Sequence, residues 1–303
     1  MGYLLLAIAI FFGVAKGFFG KKTGNFVNDA TASIEVSMIR LAFCVGFGAL
    51  MLIPEITQNG FGILRISSAV LLNTLLSGIA NAAILVLWLL IIRRGALVLV
   101  DVFGLLGVLV PLIYSSIFFD EPLRFNHLIG FALLAFAVWL LCSYNNTVKP
   151  KITPKLGFLL VIFALVCGAG DLSQKIFVMQ THGTIPTSVF NFYTYLFACG
   201  ILATIFILLK LKCRNNGFTG KTPLNKRVLF YVFLMAVCLY LNLLFKTASA
   251  NYMDASNIYP FYQGALMIVN CMVAALFFKE KIHFKSIAGI ATGIAALCII
   301  NLL

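Results

Sequence analysis

The sequence is poor in charge and poorer still in acid. Of its 303 residues, 10% are Asp, Glu, Lys or Arg, and nine are acidic. A soluble domain carries about 25% charged residues, so this chain cannot cover a surface facing water all round. Metal and redox motifs are missing too. The eight cysteines, at 44, 142, 167, 199, 213, 238, 271 and 298, form no CxxC and no Cys/His cluster. All but Cys213 fall inside apolar runs, which reads as packing rather than disulfide or metal use. His127, His182 and His283 sit at loops or run ends, and no pair has metal-ligand spacing. HExxH, GxSxG, Asp-rich and nucleotide-binding motifs are all absent, so neither a cofactor nor ATP-driven chemistry is expected from this chain. The N-terminus has no basic n-region and no small-residue cleavage site. Its apolar run is expected to remain as a first span.

What fills the chain is apolar sequence. Hydrophobic residues make up 62% and mean hydropathy is +1.06. Ten apolar segments can be marked, at roughly 2–20, 33–53, 68–92, 97–119, 125–143, 156–178, 187–209, 228–250, 255–277 and 284–302. Each is about long enough to span a bilayer, and a helix satisfies its own backbone in lipid. An all-α, ten-span membrane protein is expected. Breakers punctuate the connections: Pro54, Gly60, Pro150, Pro154, Pro186, Gly217, Gly220 and Pro223. Pro111 is expected to kink the fourth span.

The chain also repeats itself. At a shift of 159 residues, Phe118-Phe119-Asp120-Glu121 falls on Phe277-Phe278-Lys279-Glu280, Phe125 on Phe284, and Gly130 on Gly289. At a shift of 155, Gly2-Tyr3-Leu4-Leu5 falls on Gly157-Phe158-Leu159-Leu160, Gly13 on Gly168, and Cys44 on Cys199. The linker Tyr144–Lys155 divides the repeats, giving domains 1–145 and 146–303. Five spans is an odd number, so the second half enters the membrane upside down. Such inverted repeats build many secondary transporters.

The net charge of +13 raises the question of nucleic acid, and its placement answers it. Of 22 basic residues, 16 lie in loops after odd-numbered spans, two (Arg65 and Arg124) in loops after even ones, and four within spans. That asymmetry is a topology signal. It puts the odd loops in the cytoplasm and both termini outside. The cluster Lys210, Lys212, Arg214, Lys221, Lys226 and Arg227 then lies against anionic headgroups rather than a nucleic acid.

Two tandem blocks of apolar helix, Phe-Phe-x-Glu elbow and glycine-containing closing helix resemble the drug/metabolite transporter superfamily, and within it the ten-helix EamA-like branch. The elbow glutamates that match are Glu121 and Glu280, and the glycines are Gly130 and Gly289. Where many members carry Trp-Gly in the first helix, this chain has Phe12-Gly13 and Cys167-Gly168. The resemblance covers the whole chain. It implies an exporter or exchanger of a small metabolite, with the last two helices of each half as a scaffold and the others around a central cavity. It also implies cytoplasmic termini, against the charge count. A multi-pass protein of the bacterial plasma membrane, monomeric or homodimeric, is expected, coupled to a proton or counter-solute.

Ionisable groups inside spans mark candidate chemistry, since each costs about 2.5–3.5 kcal/mol unless paired or hydrated. Arg40 lies deep in the second span. It either binds an anionic substrate through its forked donors or locks helices by pairing with Asp101. Asp171 and Lys175 are four apart on the sixth span, where they can pair with each other or serve substrate and proton. Lys16 aligns with Asp171 from the first half and can also snorkel. Asn242 and Lys246 form another pair four apart, and Asn81 lies mid-span. Tyr259, Tyr262 and Gln263, with Pro260 and Asn270, make the ninth span unusually polar. They can line a substrate path with Tyr193 and Tyr195, or hydrogen-bond between helices. Asp254 complements a helix N-terminus, and Gly289 with Gly293 forms a small-residue packing face. Together these favour a secondary transporter of a polar, anionic metabolite. An intramembrane lipid-modifying enzyme and a non-transporting scaffold stand as alternatives, and flux through liposomes distinguishes them.

Overall fold

The computed structural model describes residues 1–24, 26, 30–92, 97–121, 124–144, 154–214, 225–278 and 284–302. Every regular element among them is helical. In chain order these are α1 (Gly2–Gly24), α2 (Ala30–Asn59), α3 (Ser68–Ile92), α4 (Leu97–Gly107), α5 (Leu109–Phe118), α6 (Phe125–Tyr144), α7 (Pro154–Thr181), α8 (Thr187–Arg214), α9 (Lys226–Ser249), α10 (Ala255–Phe278) and α11 (Phe284–Leu302). A 3-10 turn at Phe61–Leu64 precedes α3. Six of these helices, α1, α2, α3, α7, α8 and α9, are long and apolar enough to cross a membrane. Shorter apolar helical stretches cover Phe103–Phe118, Phe125–Ala137 and Ile287–Ile300.

Side-chain placement supports a lipid solvent. Phe11, Leu50, Phe158, Leu165, Leu208 and Leu276 are largely exposed, whereas Arg40, Asn81, Asp171, Lys175, Asn242 and Lys246 are buried. Six helices of spanning character, with apolar residues outside and charge within, define an integral membrane protein.

The helices pack in pairs. α1 lies along α9, α3 along α7, α2 along α8, and α6 along α11. α4 and α5 lean on α7, while α10 leans on α1. Small residues permit the close crossings. A side chain on Gly168 would strike the Gly107 carbonyl, so α4 and α7 touch backbone to backbone. In the α6–α11 pair, Gly130 fits against Ile300 and Ala296.

Two prolines behave differently from each other. The fourth apolar segment is broken into α4 and α5 at Val108, three residues before Pro111. A proline ring displaces the carbonyl four residues earlier, here that of Gly107, and the break falls there. Pro54, read from sequence as lying in a connection, sits inside α2, which continues to Asn59. Pro260 likewise lies within α10 without ending it.

Candidate functional site

A cavity of about 120 Å³ lies where α1, α3, α4, α7, α9 and α10 meet. Lys246 organises it. Its ammonium donates to the Asp171 carboxylate at 2.5 Å, joining α9 to α7. The same nitrogen sits 4.3 Å from the Tyr262 ring centroid and 5.2 Å from that of Tyr259. An ammonium against aromatic faces gains cation–π attraction, larger when desolvated. The pair is fixed from behind, because the Tyr259 hydroxyl donates to the Asp171 backbone carbonyl at 2.8 Å.

Amides complete the wall. The Asn242 side-chain NH₂ donates to the Ala9 carbonyl at 2.6 Å and to the Tyr262 hydroxyl at 2.7 Å. Gly13 makes room for this contact: a methyl group there would meet Leu266, the Tyr262 oxygen and the Asn242 amide at 2.9–3.0 Å. Gln174, one turn beyond Asp171, accepts from the Thr247 hydroxyl at 3.3 Å. Lys16, Asn81 and Gln263 also face the cavity. Two lysines and one carboxylate line it among the described residues.

The structure thus gathers Asn81, Asp171, Asn242, Lys246, Tyr262 and Gln263 at one cavity. Tyr259 stands behind the ion pair. The expected Asp171–Lys175 pairing is corrected: Asp171 pairs with Lys246, and Lys175 pairs with Glu121. The reason is reach. The Lys175 ammonium also donates to the Met253 carbonyl at 3.3 Å, which draws it toward the helix ends and away from its own turn. Tyr195 is wholly buried and donates to the Leu239 carbonyl at 3.1 Å. Tyr193 donates to the Leu64 carbonyl at 3.0 Å. Neither tyrosine lines this cavity. Arg40 does not line it either, but Trp88 does, and the Arg40 guanidinium carbon lies 6.0 Å from the Trp88 ring centroid. The side chain of Asp101, its suggested partner, lies outside the described residues.

Glu121, Gln174 and Trp88 were missed as site residues. The repeated elbow pointed to Glu121 only as architecture. It does more here. One carboxylate oxygen accepts from the Ala255 backbone NH at 2.8 Å, capping the N-terminus of α10 where the helix dipole favours an anion. The other binds Lys175. Glu121, Lys175 and Asp254 border a wider cleft of about 820 Å³. That cleft lies among the connections after α5, α7 and α9, the ends with few basic residues. Asp171 and Lys175 are one turn apart, so the two ion pairs stack along α7 between cavity and cleft.

No family model matches the chain, and no curated protein matches it. One solved structure, described as "Crystal structure of protein", superposes with a TM-score of 0.75 at 12% sequence identity, over 99% of this chain and 97% of that chain. The likeness extends over the whole helical arrangement and speaks for the fold.

Proposed function

We propose that this protein is a secondary transporter of the drug/metabolite type, moving a small polar metabolite with negative charge by alternating access. The observation that carries the reading is the cavity between the helices, built from both halves, with the Asp171–Lys246 pair in its wall. In the proposed architecture ten spans form two inverted repeats, 1–145 and 146–303, with α4 and α5 together as one span. The packing supports this. Exchanging the halves turns α1–α9 into α7–α3, α2–α9 into α8–α3, and α1–α10 into α7–α4, and each of these pairs is in contact. The exchange extends to residues. Gly13 lies against Leu266 and Gly168 against Gly107, and the shifts of 155 and 159 carry one pair onto the other.

Alternating access needs a cavity that one end of the molecule closes while the other opens. The Glu121–Lys175 pair, with its hold on Ala255 and Met253, ties the elbow, α7 and α10 together at the cleft end. It acts as the closure there. Substrate binding competes with Asp171 for Lys246: an incoming carboxylate takes the ammonium, and the freed Asp171 accepts a proton or a cationic group. A lipid-modifying enzyme would need convergent acids or a nucleophile and base. Among the described residues the lining offers one carboxylate, already bound to lysine. The test is efflux from liposomes that contain only this protein and are loaded with a metabolite extract, read by mass spectrometry. Loss of specific solutes is expected for the native protein and not for Lys246→Met. Efflux no faster than from protein-free liposomes contradicts the proposal.

A further inference from the structure

We propose that the surface seam between the end of α1 and the start of α9 binds an anionic phospholipid, with Lys22 and Arg227 on its headgroup. This stands independently of the transport reading. The two helices run antiparallel here, and Phe19 of α1 stacks on Tyr231 of α9 with ring centroids 6.5 Å apart. The Lys22 ammonium lies 4.6 Å from the Phe18 ring centroid and 5.7 Å from that of Tyr231. Two aromatic faces thus hold this cation in place, which lowers the ordering cost of binding an anion. Arg227 precedes Tyr231 by four residues, so both lie on one face of α9. Lys22 and Arg227 therefore flank the same ring. Arg227 and its neighbour Lys226 are exposed.

Acid is what this seam lacks. From Leu172 to Met253 the sequence has no Asp or Glu, yet six basic residues fall between Lys210 and Arg227. The first turn of α9 carries no acid either. Cations at that end of a helix oppose its dipole, so Lys226 and Arg227 add to a positive end instead of cancelling it. Among the described residues, no carboxylate pairs with Lys22, Lys226 or Arg227. Beside this charge lie apolar groups open to the outside: Leu229 and Phe230 on α9, and Phe277 on α10. The Phe277 ring meets Phe18 edge-on at 5.5 Å, so these apolar groups and the cations share one patch. A phospholipid matches both layers, its chains against the rings and its head against the cations. A soluble phosphate would use only the second. A zwitterionic head would bring its own ammonium toward Lys22 and Arg227, so a head with net negative charge is preferred.

The purified full-length protein in a neutral detergent is titrated with phosphatidylglycerol, with phosphatidylcholine and with glycerol phosphate, and its melting temperature is followed. A saturable rise is expected with phosphatidylglycerol alone. Lys22→Gln and Arg227→Gln should each shift the midpoint of that titration about fivefold to higher lipid, as expected for one basic group at a membrane surface. Lys155→Gln is the control. Lys155 is exposed, and it lies at the same end of the molecule, because the adjoining Leu156 packs in one cluster with Val228 of α9. Its loss should leave the midpoint unchanged. The proposal is overturned if phosphatidylcholine acts as well as phosphatidylglycerol, or if glycerol phosphate acts at the same concentration, which would mark a site for a soluble anion. It is also overturned if Lys22→Gln and Arg227→Gln leave the midpoint where it was, or if Lys155→Gln shifts it as far as they do.

Discussion

Lys246 and Arg40 are both cations inside membrane helices, with 5% and 0% of their surfaces exposed, yet their settings are opposite. Lys246 has a carboxylate at 2.5 Å and two aromatic faces. Arg40 has one ring and no hydrogen-bond partner. The first charge is balanced by the fold itself, and the second is not. Where the fold supplies the partner, the charge is balanced as built, and the proposed transport cycle would require it to be re-paired. Where it does not, the buried charge weighs against stability.

Substitutions turn that contrast into measurable differences. The largest effect is expected for Lys246→Met, which strands the buried Asp171 carboxylate. Breaking one side of a buried pair costs about 3–5 kcal/mol, so the melting temperature should fall sharply and efflux should cease. Adding Asp171→Leu should recover much of the stability and none of the efflux. Next comes Glu121→Gln, which removes the charge facing Lys175 while keeping an oxygen for the Ala255 NH. A loss of about 1.5–3 kcal/mol is expected, with the cleft side becoming easier to open, as seen by proteolysis or thiol labelling of a cysteine placed at Asn251. Tyr262→Phe removes the acceptor of one Asn242 hydrogen bond and should cost about 1 kcal/mol, with reduced efflux. The smallest effect, and the one of opposite sign, is Arg40→Met. Replacing an unbalanced buried charge by an apolar side chain is neutral or stabilising, so its melting temperature should match or exceed that of the native protein.

Much of this was legible in the sequence, and the failures have physical causes. The apolar runs mark the helices because lipid tolerates few polar interruptions, and Pro111 foretold the break at Val108. Helix ends were less legible: Pro54 signals a boundary in water, but α2 runs through it to Asn59. The cavity group was legible in part, because deep polar residues need company and six of them found it together. Partner choice was not. Spacing of four along α7 suggested Asp171 with Lys175, while the partners come from α9 and from the elbow. Such contacts depend on which helices adjoin, and periodicity within one helix cannot supply that. The same holds for Arg40, whose face on α2 turns toward Trp88 and the α8 seam rather than the cavity lining.

The central claim is that one cavity serves both sides of the membrane in turn. Gln263 lines it and is only partly buried, so Gln263→Cys in an otherwise cysteine-free chain gives a direct probe. Sealed vesicles are treated with a membrane-impermeant thiol reagent from the outside, and in a second preparation from the lumen. Alternating access requires modification from both sides, each slowed when solutes that bind the cavity are present. Modification from one side alone, whatever solutes or gradients are applied, would contradict it.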